Sequence, residues 1–183
     1  MANRMTTIAR LENLNVEMIE WLSRFFEITK DENGDYIDHE IHTGEIVRRL
    51  LDSSLQEPTI EYCVNILGSK WINITNPEID VNEAPNSLEL NITSAWSFPE
   101  GLIQRLFDKL SSFDNKVVIK GSFHDETYSP TGVFFQSQTL KETVVVYNES
   151  LDEDRMWDDD SYREKVFEAL EDQLLELEMR SRS

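Results

Sequence analysis

Three histidines, one cysteine and thirty-six carboxylates are the side chains through which this chain could do chemistry. His39 and His42 stand three apart, with Asp38 and Glu40 beside them. On a helix that spacing lets two imidazoles share one metal ion. No third ligand can be named and the segment reads as loop, so an exposed pair without metal is expected. Asp31, Asn33 and Asp35 occupy alternate positions like the first ligands of a calcium loop. Tyr36 stands where that loop needs glycine, and His42 where it needs a bidentate glutamate, so residues 31–35 are read as a solvated turn. His124 adjoins Asp125 and Glu126, but a Ser–His–Asp nucleophile needs a serine on a tight elbow such as G-x-S-x-G, and the chain has none. Its six glycines include no phosphate-loop spacing. Cys63 alone forms no disulfide, cysteine zinc site or iron–sulfur cluster within one chain. Paired carboxylates are too many to single out an acid–base couple. No catalytic residue, metal or cofactor is assigned, and the chain is read as a non-enzyme.

Charge is the more informative property. Against 17 Lys and Arg stand 36 Asp and Glu, a formal charge of −19. Such a surface argues against direct binding of nucleic acid or of an anionic membrane, because phosphates need cations. Residues 149–178 hold thirteen acidic residues against Arg155, Arg163 and Lys165, a net −10. Within them Tyr162, Val166, Ala169, Leu170, Gln173, Leu174 and Leu177 recur at helical spacing. This predicts a long amphipathic terminal helix with an anionic outer face, capped by the run Asp158-Asp159-Asp160-Ser161. Two readings of that face stand open. It keeps the protein soluble, or its carboxylates imitate nucleic-acid phosphate and enter a cationic groove on a partner. On the second reading the partner-binding residues are Asp152, Glu153, Asp154, Asp158, Asp159, Asp160, Glu164, Glu168, Glu171 and Asp172. The partner would be a basic host protein. The alternatives are an oligomer joined through the terminal helix or the sheet, and an enzyme whose site is scattered in sequence.

The elements that must position these residues follow from periodicity. Residues 4–11 read as a first strand, and Asn15 caps a helix from Val16 to about Ile28. Helices are expected at about 44–53 and over TIEYCVNIL, the latter ending at Gly68. Residues 70–75 and 88–93 alternate like strands joined by the loop NPEIDVNEAPN. Ser97 and Glu100 have the spacing of a capping box before a helix carrying Leu102, Ile103, Leu106, Phe107 and Leu110. Strands follow at 116–123, 133–138 and 140–148. Alternating strands and singly striped helices predict an α+β domain, a mixed or antiparallel sheet with helices on one face, over residues 1–148. A helical insertion occupies about 30–68, and the acidic helix of 149–183 docks on the same domain. The N-terminus has no apolar core of a secretory signal, and no run is long enough to span a bilayer, so a cytoplasmic protein is expected.

One set of residues resembles a known family. Tyr62, Cys63, Asn65, Gly68, Ser69, Lys70 and Trp71, then Thr93, Ser94, Ala95, Trp96, Ser97 and Pro99, then Gly132 before aromatic residues, look like a phage- and plasmid-encoded family with a ferredoxin-like domain of unknown function. The likeness covers roughly residues 58–136, with a weaker match at Asn3-Arg4. Ile66 and Leu67 depart from it, where the family usually has one aromatic residue, and so does Phe98, where it often has proline. The resemblance implies a ferredoxin-like two-layer sandwich and a source in a mobile element, most simply a bacteriophage, whose protein would work in the host cytoplasm. It carries over no activity. The residue types alone give Asn65, Gly68, Lys70, Trp71, Trp96, Pro99 and Gly132 a structural role. Both tryptophans would be buried at strand ends, and Gly68 would end its helix left-handed.

Overall fold

The computed structural model describes residues 3–29, 31–33, 40–51, 54–55, 57–80, 86–146 and 151–182, with backbone alone at 76–80 and 153. Among these the chain runs β1 (Arg4–Glu12), α1 (Val16–Phe25), β2 (Glu40–His42), α2 (Thr43–Leu50), α3 (Ile60–Leu67), β3 (Ile72–Asp80) and β4 (Ser87–Ala95). It continues through α4 (Glu100–Ser111), β5 (Val118–Asp125), β6 (Thr131–Gln136), β7 (Lys141–Val146), α5 (Glu153–Asp158) and α6 (Asp160–Ser181). The strands form one sheet in the order β2-β3-β4-β1-β5-β6-β7, and every neighbouring pair is antiparallel.

Alternation in β1 decides which face is core. Met5, Thr7, Ala9 and Leu11 are buried, while Thr6, Ile8 and Arg10 turn the other way. On the buried side Leu22, Ile46, Leu67 and Leu106, one from each of α1 to α4, pack against Leu90, Ile92 and Ile119. Strand β6 departs from alternation, all six residues being buried. Both of its faces are covered. Phe134 belongs to the main core and lies 4.7 Å from the Phe98 ring, whereas Val133 and Phe135 point to the opposite face, which α6 crosses. Leu170 and Leu177 of α6 are buried there. Each such leucine contributes roughly 1.5–3 kcal/mol by leaving water.

Several expected boundaries shift for identifiable reasons. Asn15 starts α1, its side chain accepting the Met18 N–H at 2.9 Å, but the helix stops at Phe25 rather than near Ile28. Glu27 turns left-handed there, and Phe25 and Phe26 both enter the core. Of the loop expected after residue 75, residues 76–80 are strand and 81–85 lie outside the described residues. β3 continues to Asp80 through a register shift between Thr75 and Glu78, where Pro77, lacking an N–H, falls. The segment ending at His42, read as loop, supplies the short edge strand β2, while Asp35 and His39 lie outside the described residues. The Ser97 capping box does not form. The Ser97 hydroxyl donates to Gly68 O at 2.5 Å, Pro99 takes the cap position, and Glu100 pairs with Lys141 at 3.0 Å. The terminal helix α6 begins at Asp160 with Asp159 as its cap, within the run expected to cap it, and a separate short helix, α5, precedes it.

Candidate functional site

The two segments singled out for the family resemblance meet in space. Gly68 ends α3 with φ of +82°, as its type predicts. Buried Ser69 follows, its hydroxyl lying 2.6 Å from Ala95 O and accepting the Ala95 N–H at 3.0 Å. Ser94 donates to Ser97 O at 2.8 Å, and Trp71 O accepts the Ala95 N–H at 3.1 Å. The junction thus bonds α3 to the end of β4. Pro99 is buried and Asn65 is exposed on α3. Gly132 has no room for a side chain, since a Cβ would run into the Val144 carbonyl and the Phe123 ring.

Neither tryptophan is buried as expected. Trp71 is half-buried, and Trp96, with a left-handed φ of +75°, is 56% exposed. The reason lies in the chain path. The Trp96 N–H donates to Asn3 O, and its ring projects outward to meet the Lys70 ammonium at 4.7 Å. Beside it a shallow cavity of about 310 Å³ is lined by Pro58, Ile60, Cys63, Lys70 and Trp71 among others. Burial pushes the Cys63 thiol above its ordinary pKa, which disfavours the reactive thiolate.

The acidic segment divides into carboxylates with internal partners and carboxylates without. Asp152 caps α5, accepting the Arg155 N–H at 3.1 Å. Asp159 caps α6, accepting the Tyr162 N–H at 3.0 Å, and holds the Arg155 guanidinium at 2.9 Å. That guanidinium first, and then the Tyr162 N–H, hold its carboxyl below the usual range. Asp160 pairs with Arg163. These three are occupied by the fold itself. By contrast Asp154, Asp158, Glu164, Glu168, Glu171 and Asp172 are exposed and make no ion pair among the described residues. Four of them run along the outer side of α6, and the side chain of Glu153 lies outside the described residues.

Buried Leu170 and Leu177 seat α6 on the sheet, and ion pairs add to this near its C-terminal end. Glu178 bonds Lys120, which also pairs with Glu12 at 3.0 Å, and Arg180 holds Glu142 at 2.7 Å. The Glu12–Lys120–Glu178 network borders a cleft of about 630 Å³ at the C-terminal end of the helix. Among the described residues no group of three His, Cys, Asp or Glu could hold a metal. His42 is exposed at the start of α2, and His124 Nδ1 lies 2.9 Å from Asp125 O on a strand remote from it. No described helix is long and apolar enough to cross a membrane.

Sequence reasoning passed over one feature. Trp157 of α5 is 55% exposed and meets Tyr128 of the β5–β6 turn edge to face at 5.4 Å. The available signal was the pair Met156-Trp157 in the stretch 152–160, whose other residues are all charged. No family model, curated protein or solved structure matches the chain.

Proposed function

We propose that this chain is a non-enzymatic acidic interaction protein that binds, and thereby inhibits, a basic host protein of nucleic-acid metabolism or defence. The observation that carries this reading is the outer side of α6. Glu164, Glu168, Glu171 and Asp172 stand on successive turns with no cationic partner among the described residues, on a helix whose other side buries Leu170 and Leu177. Carboxylates at fixed spacing can meet arginine and lysine forks without first being ordered, and opposite fields speed the encounter.

Fold and origin belong to the same proposal. The path β1, helices, β3, β4, α4, β5, with spatial order β3-β4-β1-β5, supports a ferredoxin-like core enlarged by β2, β6, β7 and the terminal helices. The proposed origin in the phage- and plasmid-encoded family, with the host cytoplasm as the place of action, rests on the sequence resemblance of residues 58–136.

The test is displacement of a labelled DNA duplex from a basic nucleoid-associated protein. The chain displaces DNA at low ionic strength and loses that ability as salt rises. The variant Glu164→Gln/Glu168→Gln/Glu171→Gln/Asp172→Asn does not displace it. Equal displacement by the variant, or none by the native chain at any salt, refutes the reading. A second reading, an oligomerising accessory protein, is favoured by Leu175 and Met179, both more than half exposed on α6. Light scattering coupled to size exclusion distinguishes it, since a monomer at micromolar concentration excludes a stable oligomer.

A further inference from the structure

The chain supplies its own cations to several of its aromatic rings. Lys70 lies over Trp96 at 4.7 Å, Lys109 over Trp21 at 5.7 Å, and Arg155 over Tyr162 at 4.3 Å. Trp157 differs from Trp96, the other described tryptophan that is more than half exposed. More than half exposed, it has no cation over its ring among the described residues, although it lies in the most acidic part of the molecule. Its sequence neighbours Asp154 and Asp158 are exposed and unpaired, and so is Glu126 on the β5–β6 turn that carries Tyr128.

The ring is held in place from below. Tyr128 supports it edge to face at 5.4 Å, and Tyr128 itself stacks on His124 at 5.1 Å and meets Phe167 of α6 at 6.1 Å. The turn carrying Tyr128 is rigid, because the buried Asp125 carboxylate accepts the N–H groups of Thr127 and Ser129, both at 2.8 Å. On the other side, buried Met156 fastens α5, and Arg163 donates to its carbonyl at 2.9 Å. A preformed aromatic face bordered by unpartnered carboxylates is the complement of a guanidinium. The planar cation stacks on the indole while its edge donates to oxygen.

We propose that Trp157, seated on Tyr128, is the docking point for an arginine side chain of a basic partner segment, whose N–H groups bond to Asp154 and Asp158. The inference rests on the anionic-surface reading above and names the chemistry of the partner at that surface.

The test measures binding of a fluorescein-labelled nona-arginine peptide to the full chain by anisotropy at low ionic strength. Trp157→Ala weakens binding about tenfold, Trp157→Phe by less than about threefold, and nona-lysine loses less than nona-arginine from the same truncation. Should the alanine variant melt early, Trp157→Leu preserves apolar bulk without a π face and gives the same loss. If Trp157→Ala binds like the native chain while neutralising Glu164, Glu168, Glu171 and Asp172 weakens binding, the docking point is overturned and the anionic surface stands. If the native chain does not bind nona-arginine, the basic-partner reading falls and this inference with it.

Discussion

At the junction of α3 with the end of β4, the polar groups of Ser69, Ser94 and Ser97 all have partners inside the protein. On the outer side of α6, Glu164, Glu168, Glu171 and Asp172 have no ionic partner among the described residues. A tryptophan more than half exposed lies at the junction, Trp96, and another on α5, which precedes α6, Trp157. Lys70 covers the first ring, and no cation of the described residues covers the second. The contrast separates two uses of polarity. A buried hydroxyl bonded within the fold contributes to stability, and removing it strands its partners. A solvated carboxylate without a partner contributes little to stability and keeps its charge available to another molecule.

That contrast can be broken at several points. The largest effect is expected where the two uses meet, on the inner side of α6. Leu170→Ala and Leu177→Ala each cost about 2–5 kcal/mol, read from denaturant midpoints. A loss below about 1 kcal/mol for both would mean that the helix is not part of the cooperative fold. Next comes the junction. Ser69→Ala removes the hydroxyl from Ala95 O and N–H and costs about 1–3 kcal/mol, with no change in partner binding. Neutralising the four outer carboxylates of α6 should do the reverse, changing stability by less than about 0.5 kcal/mol while abolishing DNA displacement. A variant that loses both would show that those carboxylates support the fold.

The smallest effect sharpens the comparison within the acidic segment itself. Asp159 is held below its ordinary pKa by Arg155 and by the Tyr162 N–H. Its stabilisation is therefore complete above the unfolded value, near pH ~4, and fades as pH falls through the lower folded value. The difference in melting temperature between the native chain and Asp159→Ala is expected to be constant above pH ~5 and to vanish in strong acid. A difference that persists unchanged near pH ~2 would assign the effect to something other than this carboxylate.

Legibility from sequence depended on how local the determining interaction is. The strand in 4–11, the caps at Asn15 and Gly68 and the stripe of α4 were all readable, because spacing and cap chemistry act within a few residues. The Ser97 capping box had the right spacing and failed because a carbonyl 29 positions away in sequence offered its hydroxyl a better partner. Trp96 was misjudged for the same kind of reason, since a backbone bond to Asn3 fixes its direction. Of the ten carboxylates read as partner-binding, Asp152, Asp159 and Asp160 are caps or internal partners. A cap was expected in the run 158–161 and Asp159 supplies it, whereas charge counting does not distinguish Asp152 and Asp160 from open carboxylates.

By itself, then, the amino-acid order determined the alternation of strands and helices, the excess of negative charge and its concentration after residue 148. These depend on residue type and on neighbours a turn or a pleat away. Only the tertiary structure decided that β6 is covered on both faces, which carboxylates point outward unpartnered, and that Trp157 rests on Tyr128. Those outcomes depend on contacts between segments tens of residues apart, where packing and hydrogen-bond competition select among positions that local propensity leaves equivalent.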